Sequence, residues 1–110
     1  MGSDWSVSTP NPFEEMEVAV TRTYPDSRGQ VEPFLPDEAL SLADAIAAFT
    51  AGSAYVNHLD DTGSIEIGKL ADLAVVDRDV FAADAGPIGE ARVLGTFVGG
   101  AAVYEVPGLG

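Results

Sequence analysis

The chain has 110 residues, 46% of them hydrophobic, which suits one globular domain, and its 5 basic and 18 acidic side chains give a net charge of -13. Such a charge repels phosphate backbones and anionic lipid, and therefore argues against nucleic-acid and membrane partners. The lack of cysteine excludes disulfides and thiolate chemistry, and the lack of a leader-like start or of an apolar run of roughly 18 residues predicts a cytoplasmic protein.

The first predicted helix covers residues 12–21. Asn11 can cap its start through the side-chain oxygen, and Pro12 suits the first helical position. Glu14 and Glu15 then lie in the first turn, where the helix dipole favours negative charge. The helix presents one apolar face to the core, formed by Phe13, Met16 and Val20.

A long surface loop is predicted to follow over residues 24–36, which contain three prolines. Loops of this length are often functional or flexible. Three apolar side chains in it are candidates to attach part of the loop to the core: Val31, Phe34 and Leu35.

The second predicted helix begins after Ser41, which with Asp44 matches a hydroxyl-x-x-acid capping pattern. Gly52 interrupts the helical pattern and predicts a break into two short helices near residues 51–53. The apolar face of this region is predicted to contain Leu42, Ile46, Phe49 and Val56.

From Asp60 onward the pattern changes to that of strands, with Ile65 and Ile67 alternating with polar residues. Residues 73–76 form an apolar run typical of a strand covered on both faces. Two further strands are predicted at residues 93–98 and 101–106, joined by a Gly99-Gly100 hairpin turn, and Phe81 is a candidate anchor for the loop before them. The predicted class is α+β, with a helical first half followed by a small, mainly antiparallel sheet.

Few residues suggest catalysis. Ser53, His58 and Asp61 could be drawn as a triad, but their spacing does not support one, and His58 also fits a polar residue at a helix end. One histidine cannot supply the three protein ligands of a catalytic zinc. Calcium could be held by acid pairs at residues 60–61 or 77–79, although the helix–loop–helix spacing is absent. The residues by themselves therefore predict a domain without a self-sufficient active site.

Several stretches together resemble one family. Residues 63–77, which read GSIEIGKLADLAVVD, are the most specific, and the others are residues 2–7, 11–22, 40–55 and 93–104. They resemble the C-terminal segment of the metal-dependent amidohydrolase superfamily, in particular its long-chain amidohydrolase branch. Nearly the whole chain takes part in the resemblance, with a loose match only at residues 24–35.

The resemblance implies the tail of a TIM-barrel hydrolase. Residues 1–59 would correspond to the end of the barrel, with Met1 at the start of the eighth strand, and residues 60–110 to the C-terminal part of a composite small β domain. It implies that the parent enzyme hydrolyses amide-type C–N bonds with a divalent metal, zinc. Asp4 would bind this metal and shuttle a proton from the attacking water to the leaving group.

The chain also departs from the family. The His-x-His after the first barrel strand, the bridging lysine or acid after the fourth strand and two later histidines are all absent, and Ser6 stands where the branch often has proline. The resemblance therefore predicts a C-terminal piece that is inactive alone. Without the barrel strands, the apolar face of the helices would be exposed to solvent. This predicts that the chain binds the missing barrel part or associates with itself as a homo-oligomer.

Two other functions stay open at this point. The chain could be a standalone, non-catalytic acidic α+β module that binds a partner through its acidic surface or helical face. It could also be a small enzyme that uses His58 with Asp60 or Asp61. A compact monomer without exposed apolar surface would favour the module, and activity lost in His58→Ala would be needed for the small enzyme.

Overall fold

The helical and strand-forming halves of the chain occur in the predicted order. The structure is a computed structural model that describes residues 2–109, so Met1, the predicted start of a barrel strand, and Gly110 lie outside the described residues. Within this range three α-helices precede a three-stranded antiparallel sheet, which confirms the α+β class. The elements are α1 (Pro12–Thr21), α2 (Leu42–Phe49), α3 (Ala51–Val56), β1 (Leu73–Val76), β2 (Val93–Val98) and β3 (Ala101–Glu105). The assignment of the two halves to a barrel end and a small domain stays a prediction.

Both predicted helix caps are present. The Asn11 side chain accepts a hydrogen bond from the backbone N–H of Phe13 at 3.1 Å, and Pro12 opens α1. The Ser41 hydroxyl accepts from the N–H of Asp44 at 3.1 Å and lies 2.7 Å from the Asp44 carboxylate. Each cap satisfies a backbone donor that the helix itself leaves free, which fixes where the two helices begin.

The predicted break between the second and third helices occurs at Thr50, just before the expected position. Thr50 has φ −118° and ψ −96°, which is outside the helical region, and Gly52 lies inside the first turn of α3. The change of direction removes Val56 from the apolar face, so its predicted place there is wrong: Val56 is 74% exposed. Ala54 is the buried residue of α3 instead.

The hydrophobic core lies between α1, α2 and a 3₁₀ turn at Ile88–Glu90. Its buried members are Met16, Ala19, Ala45 and Ile88. Met16 lies on the predicted face of α1, and the partly buried side chains around it confirm the rest of that face. These surrounding residues are Phe13, Val20, Leu42, Ile46, Phe49 and Val80.

The sheet has the order β1-β2-β3 with both pairs antiparallel. Gly99 and Gly100 join β2 to β3 with φ values of 56° and 81°, a geometry that glycine adopts at little cost, so the predicted hairpin is confirmed. The last strand ends at Glu105, one residue earlier than predicted. Residues 65 and 67 belong to no strand.

No second layer among the described elements covers the sheet. Within residues 2–109 the helices contact one another and the Ile88–Glu90 turn, and none of them packs broadly against the sheet. The prediction that residues 73–76 are covered on both faces is therefore wrong for this chain, since Val75 is 38% exposed. Every residue of β3 is exposed. Sheets with apolar residues normally bury a face against another element, and here that element is missing from the described chain.

The predicted apolar anchors of two loops are also wrong. Phe81 is 62% exposed, and the apolar residues of the long loop, Val31, Phe34 and Leu35, are all more than half exposed. Polar contacts hold this loop instead. The N–H of Phe34 donates to the Arg22 carbonyl at 2.9 Å, and Arg22 Nε donates back to the Phe34 carbonyl at 3.0 Å, which closes the loop at its base.

The chain exposes more surface than its size predicts. Its accessible area is 7620 Å², whereas a compact monomer of 11.4 kDa is expected to expose about 5,800 Å². The radius of gyration, 15.0 Å, likewise exceeds the ~13 Å expected for a compact domain of this length. None of the helices described has the length and apolar character needed to cross a membrane.

Candidate functional site

Asp4 lies in a tight turn before α1. Its φ is 54°, in the left-handed region that aspartate tolerates better than most residues, and its carbonyl accepts a hydrogen bond from the N–H of Val7 at 2.7 Å. The Ser8 hydroxyl donates to the Ser3 carbonyl at 3.0 Å and closes the same loop. The loop therefore has a defined course and leaves Asp4 exposed at the surface.

A groove of about 1060 Å³ lies beside this turn, between the N-terminal segment, one side of α1 and the base of the long loop. Ser3, Val7 and Ser8 contribute to its wall, but Asp4 does not. The charged side chains around it are Glu14, Glu15, Arg22, Asp26 and Glu38. One carboxylate oxygen of Glu15 is buried and accepts no hydrogen bond from the rest of the described chain.

The residues of this chain do not fit a metal site by themselves. Across residues 2–109 no group of three histidine, aspartate or glutamate side chains comes close enough together to hold an ion. Catalytic zinc takes three protein ligands, and Asp4 alone supplies one carboxylate. Of the acids considered for calcium, those at 77–79 serve other contacts, since Asp77 binds Arg78 and Asp79 accepts from the N–H of Phe81 at 3.0 Å.

The structure does not bring the alternative catalytic residues together. His58 follows the end of α3, is exposed, and uses its backbone N–H to donate to the Tyr55 carbonyl at 3.2 Å. No side-chain hydrogen bond within residues 2–109 joins Ser53, His58 and Asp61. The interpretation of His58 as a polar residue at a helix end agrees with this geometry.

Two aspartates in the stretch 63–77 make hydrogen bonds that hold the sheet together. Asp72 Oδ1 accepts from the N–H of Gly99 at 2.7 Å, so it holds the hairpin turn between β2 and β3. Asp77 Oδ1 accepts from Arg78 Nε at 2.8 Å and from the N–H of Arg92 at 3.1 Å, which joins the end of β1 to the start of β2. The sequence pattern of this stretch therefore reflects structural contacts.

Acid is expected to weaken the contact between Asp77 and Arg92. Hydrogen bonds from Arg78 and from the Arg92 N–H lower the pKa of Asp77 from 3.8 to about 2. Because the folded-state pKa lies below the unfolded value, the stabilisation is complete above roughly pH 4 and is lost as the pH falls toward about 2. We expect Asp77→Asn to flatten this part of the stability profile, measured by urea unfolding at each pH. The exposed Asp84→Asn is the control, and identical profiles for Asp77→Asn and the wild type would contradict the assignment.

An ion pair between buried Glu17 and half-buried Arg28 contacts the Gly89–Glu90 segment of the second half of the chain. Glu17 on α1 is 1% exposed. Arg28 Nε donates to Glu17 Oε1 at 2.5 Å, and Arg28 Nη2 donates to Glu17 Oε2 at 2.7 Å. The N–H of Gly89 adds a third donor at 3.1 Å, and Arg28 Nη1 also reaches Glu90 at 2.8 Å. The hydrogen bond to Glu17 raises the pKa of Arg28.

Sequence reasoning missed this network. Glu17 is one of several acids on α1, and its partners lie 11 and 72 residues away. The signal in the sequence was positional: Glu17 follows Met16 and precedes Val20 by three residues, so it lies near the edge of the apolar face. That placement alone does not distinguish a buried acid from a solvated one.

Comparison with known proteins decides the family. A family profile described as "Amidohydrolase family" matches residues 1–104, which is nearly the whole chain. The chain belongs to the amidohydrolase family. This confirms the resemblance that the sequence stretches indicated.

Two curated relatives are similar to this amidohydrolase chain. An N-substituted formamide deformylase of Arthrobacter pascens is 36% identical over 109 residues, which is 98% of this chain and 19% of the relative. An imidazolonepropionase of Bdellovibrio bacteriovorus is 44% identical over 41 residues, 36% of this chain and 10% of the relative. The chain thus spans no more than about a fifth of the length of these relatives. No solved structure matches it significantly.

Proposed function

We propose that this chain acts as the C-terminal part of a metal-dependent amidohydrolase that hydrolyses amide-type C–N bonds, and that it is inactive alone. The family match supports the chemistry, and the deformylase similarity extends over almost all of the chain. The described residues lack the ligands for a complete metal centre, so the remaining ligands would come from the rest of the enzyme. The zinc of the parent family would find one ligand here, the carboxylate of Asp4.

The exposed apolar surface is the observation that carries this proposal. The accessible area exceeds the expectation for a compact monomer by about 1,800 Å². The sheet has no covering layer among the described elements. An area of this size is about twice the ~800 Å² that one partner contributes to a standard protein–protein interface. A missing part of the same enzyme would account for both features.

The groove beside Asp4 supports the same proposal. A buried carboxylate oxygen without a hydrogen-bond donor is costly. Glu15, which lines the groove, has one such oxygen buried within the described chain. A rearrangement of this side chain when the rest of the enzyme packs into the groove would let the oxygen find a donor next to the Asp4 turn.

The proposed role of Asp4 is proton transfer. Hydrolysis of an amide breaks the C–N bond, adds hydroxide from water to the carbonyl carbon and delivers a proton to the leaving nitrogen. Asp4 would take the proton from the attacking water and pass it to that nitrogen. Its position in an ordered turn with an exposed carboxylate allows this role once the rest of the site surrounds it.

The test is complementation with the similar deformylase. The chain is co-produced with the Arthrobacter pascens enzyme lacking its matched segment, and a covalent chimera in which the chain replaces that segment is a second arm. Hydrolysis of an N-substituted formamide is measured. We expect activity from the two parts together and none from the chain alone.

Substitution of Asp4 tests its role in the same assay. Asp4→Asn is expected to lower kcat by about 10²–10⁴-fold, the usual contribution of a general acid–base group. Asp37→Asn, an exposed aspartate outside the groove, is the matched control. Full activity of the Asp4→Asn complex would show that the assigned role is wrong, even if the two parts assemble.

A further inference from the structure

Two isoleucines point into solvent between α3 and the sheet. Ile65 is 88% exposed and Ile67 is fully exposed, at 109% of the reference area, which makes them the most exposed of the large apolar side chains in the described residues. They flank Glu66 in a segment that is neither helix nor strand. Large apolar side chains placed together on a surface mark an interaction site more often than isolated ones do.

The segment that carries these isoleucines is fixed at both ends. Gly63 lies so close to α3 that an added Cβ would meet the Ala54 Cβ at 2.6 Å. At the other end, the N–H of Leu70 donates to the Asp61 carbonyl at 2.8 Å. The two anchors close a short loop, which we call the isoleucine loop, residues 61–70.

Side-chain contacts hold the inside of the isoleucine loop. Lys69 Nζ donates to the Ser64 hydroxyl at 2.7 Å and to the Thr62 carbonyl at 3.3 Å. The Ser64 hydroxyl in turn donates to Glu66 at 2.6 Å. The loop is therefore ordered before it meets any partner, and a preformed loop loses little conformational entropy on binding.

Charge on the isoleucine loop restricts what can cover it. Asp60, at its edge, Asp61 and Glu66 are acidic, and its one basic residue, Lys69, is engaged inside the loop. Two copies of this surface would bring like charges together, in a chain whose net charge is already -13. The surface instead fits an apolar pocket with basic groups around it.

We propose that Ile65 and Ile67 are the anchors through which this chain docks onto the rest of the amidohydrolase polypeptide, at an apolar surface with a basic rim. This inference rests on the proposed function. The similar deformylase has about four fifths of its length outside the matched segment, which supplies a partner of sufficient size. The surplus exposed area of the chain provides room for an interface that includes the loop.

The experiment measures the affinity of the chain for the deformylase lacking its matched segment. We expect Ile65→Ser and Ile67→Ser each to weaken binding by about tenfold or more, since one buried isoleucine is worth at least that factor. Val31→Ser, at an exposed apolar residue of the long loop, is the control and is expected to leave the affinity unchanged. Circular dichroism of each variant checks that the fold is retained.

The outcomes separate the two proposals. If the isoleucine variants bind more weakly and the control variant binds as tightly as the wild type, the result supports Ile65 and Ile67 as the anchors. If both isoleucine variants bind as tightly as the wild type, Ile65 and Ile67 are not the anchors, and the proposed function still stands. No binding by the wild type, together with an inactive chimera, overturns both. A dimer of the chain alone that Ile67→Ser dissociates would make a second copy the occupant and overturn the assigned partner.

Discussion

Glu17→Ala is expected to destabilise the chain by about 3 kcal/mol, a large share of the stability of a small domain. The substitution removes the acceptor of both Arg28 bonds and leaves the N–H of Gly89 without its partner. It also empties a site where the native side chain is 2% exposed. The measurement is urea unfolding followed by circular dichroism. Glu32→Ala, an exposed acid in the long loop, is the control.

Coupling between the partners makes this prediction specific. Arg28→Met is expected to destabilise at least as strongly, because it leaves the Glu17 carboxylate buried without a counter-charge. The double variant Glu17→Met with Arg28→Met is expected to recover part of the loss, since an apolar pair removes both desolvation costs. A change within ~0.5 kcal/mol of the wild type for Glu17→Ala would contradict the role of the network.

Gly89 offers a second probe of the same contact. A Cβ at this position would lie 2.2 Å from Glu17 Oε2, which Arg28 holds in place. Gly89→Ala is therefore expected to destabilise the wild type and to have a much smaller effect in the Glu17→Ala background. If Gly89→Ala lowers the free energy of unfolding equally in both backgrounds, contact with the Glu17 carboxylate is not the reason that glycine is needed at position 89.

Gly63→Ala is the second large effect that we expect, about 2–4 kcal/mol of lost stability. Gly63 has φ +83°, which disfavours any residue with a Cβ. The added atom would also lie 2.6 Å from the Ala54 Cβ and 3.0 Å from the Ala51 Cα. The backbone of α3 cannot move away without disturbing the helix, so both costs apply.

Gly68→Ala is the matched control for this prediction. Gly68 has a similar φ of +95° but no atom within 4 Å of an added Cβ, so its substitution should show only the backbone cost, about 1 kcal/mol. The difference between the two alanine variants in urea unfolding isolates the steric contact with α3. Equal losses for both would show that the close packing of Gly63 on α3 contributes nothing.

Local features of the fold could be predicted from the sequence because their causes are local. Asn11 and Ser41 cap the helices that they precede, and each cap depends on residues two or three positions away. The Gly99-Gly100 turn follows from the positive φ that both positions require. These short-range contacts set the α+β order before any tertiary contact is considered.

Features set by distant residues could not be predicted. The burial of Glu17 depends on Arg28 and on the N–H of Gly89, 72 residues further along the chain. Hydrophobicity indicated cover for residues 73–76 and for Phe81, but these side chains are exposed or only partly buried because no described element packs on them. For such residues the sequence predicts a covering surface that residues 2–109 do not provide.

The candidate site likewise combines features that could be predicted from the sequence with features that could not. The role of Asp4 came from family resemblance, and the structure adds an ordered turn and a neighbouring groove without bringing further metal ligands to it. The sequence allowed the acidic pairs to be considered as calcium sites and His58 as a catalytic residue. In the structure, Asp77 and Asp79 make local contacts instead. Under the proposed function the other metal ligands would come from residues beyond those described, which spacing within this chain cannot reveal.

The most direct test of the central claim is the mass, by light scattering, of the chain mixed with the deformylase that lacks its matched segment. We expect a one-to-one complex in which the 11.4 kDa chain elutes together with the larger polypeptide. The two components eluting separately, with the chain remaining a compact monomer that binds no partner from the enzyme, would contradict it.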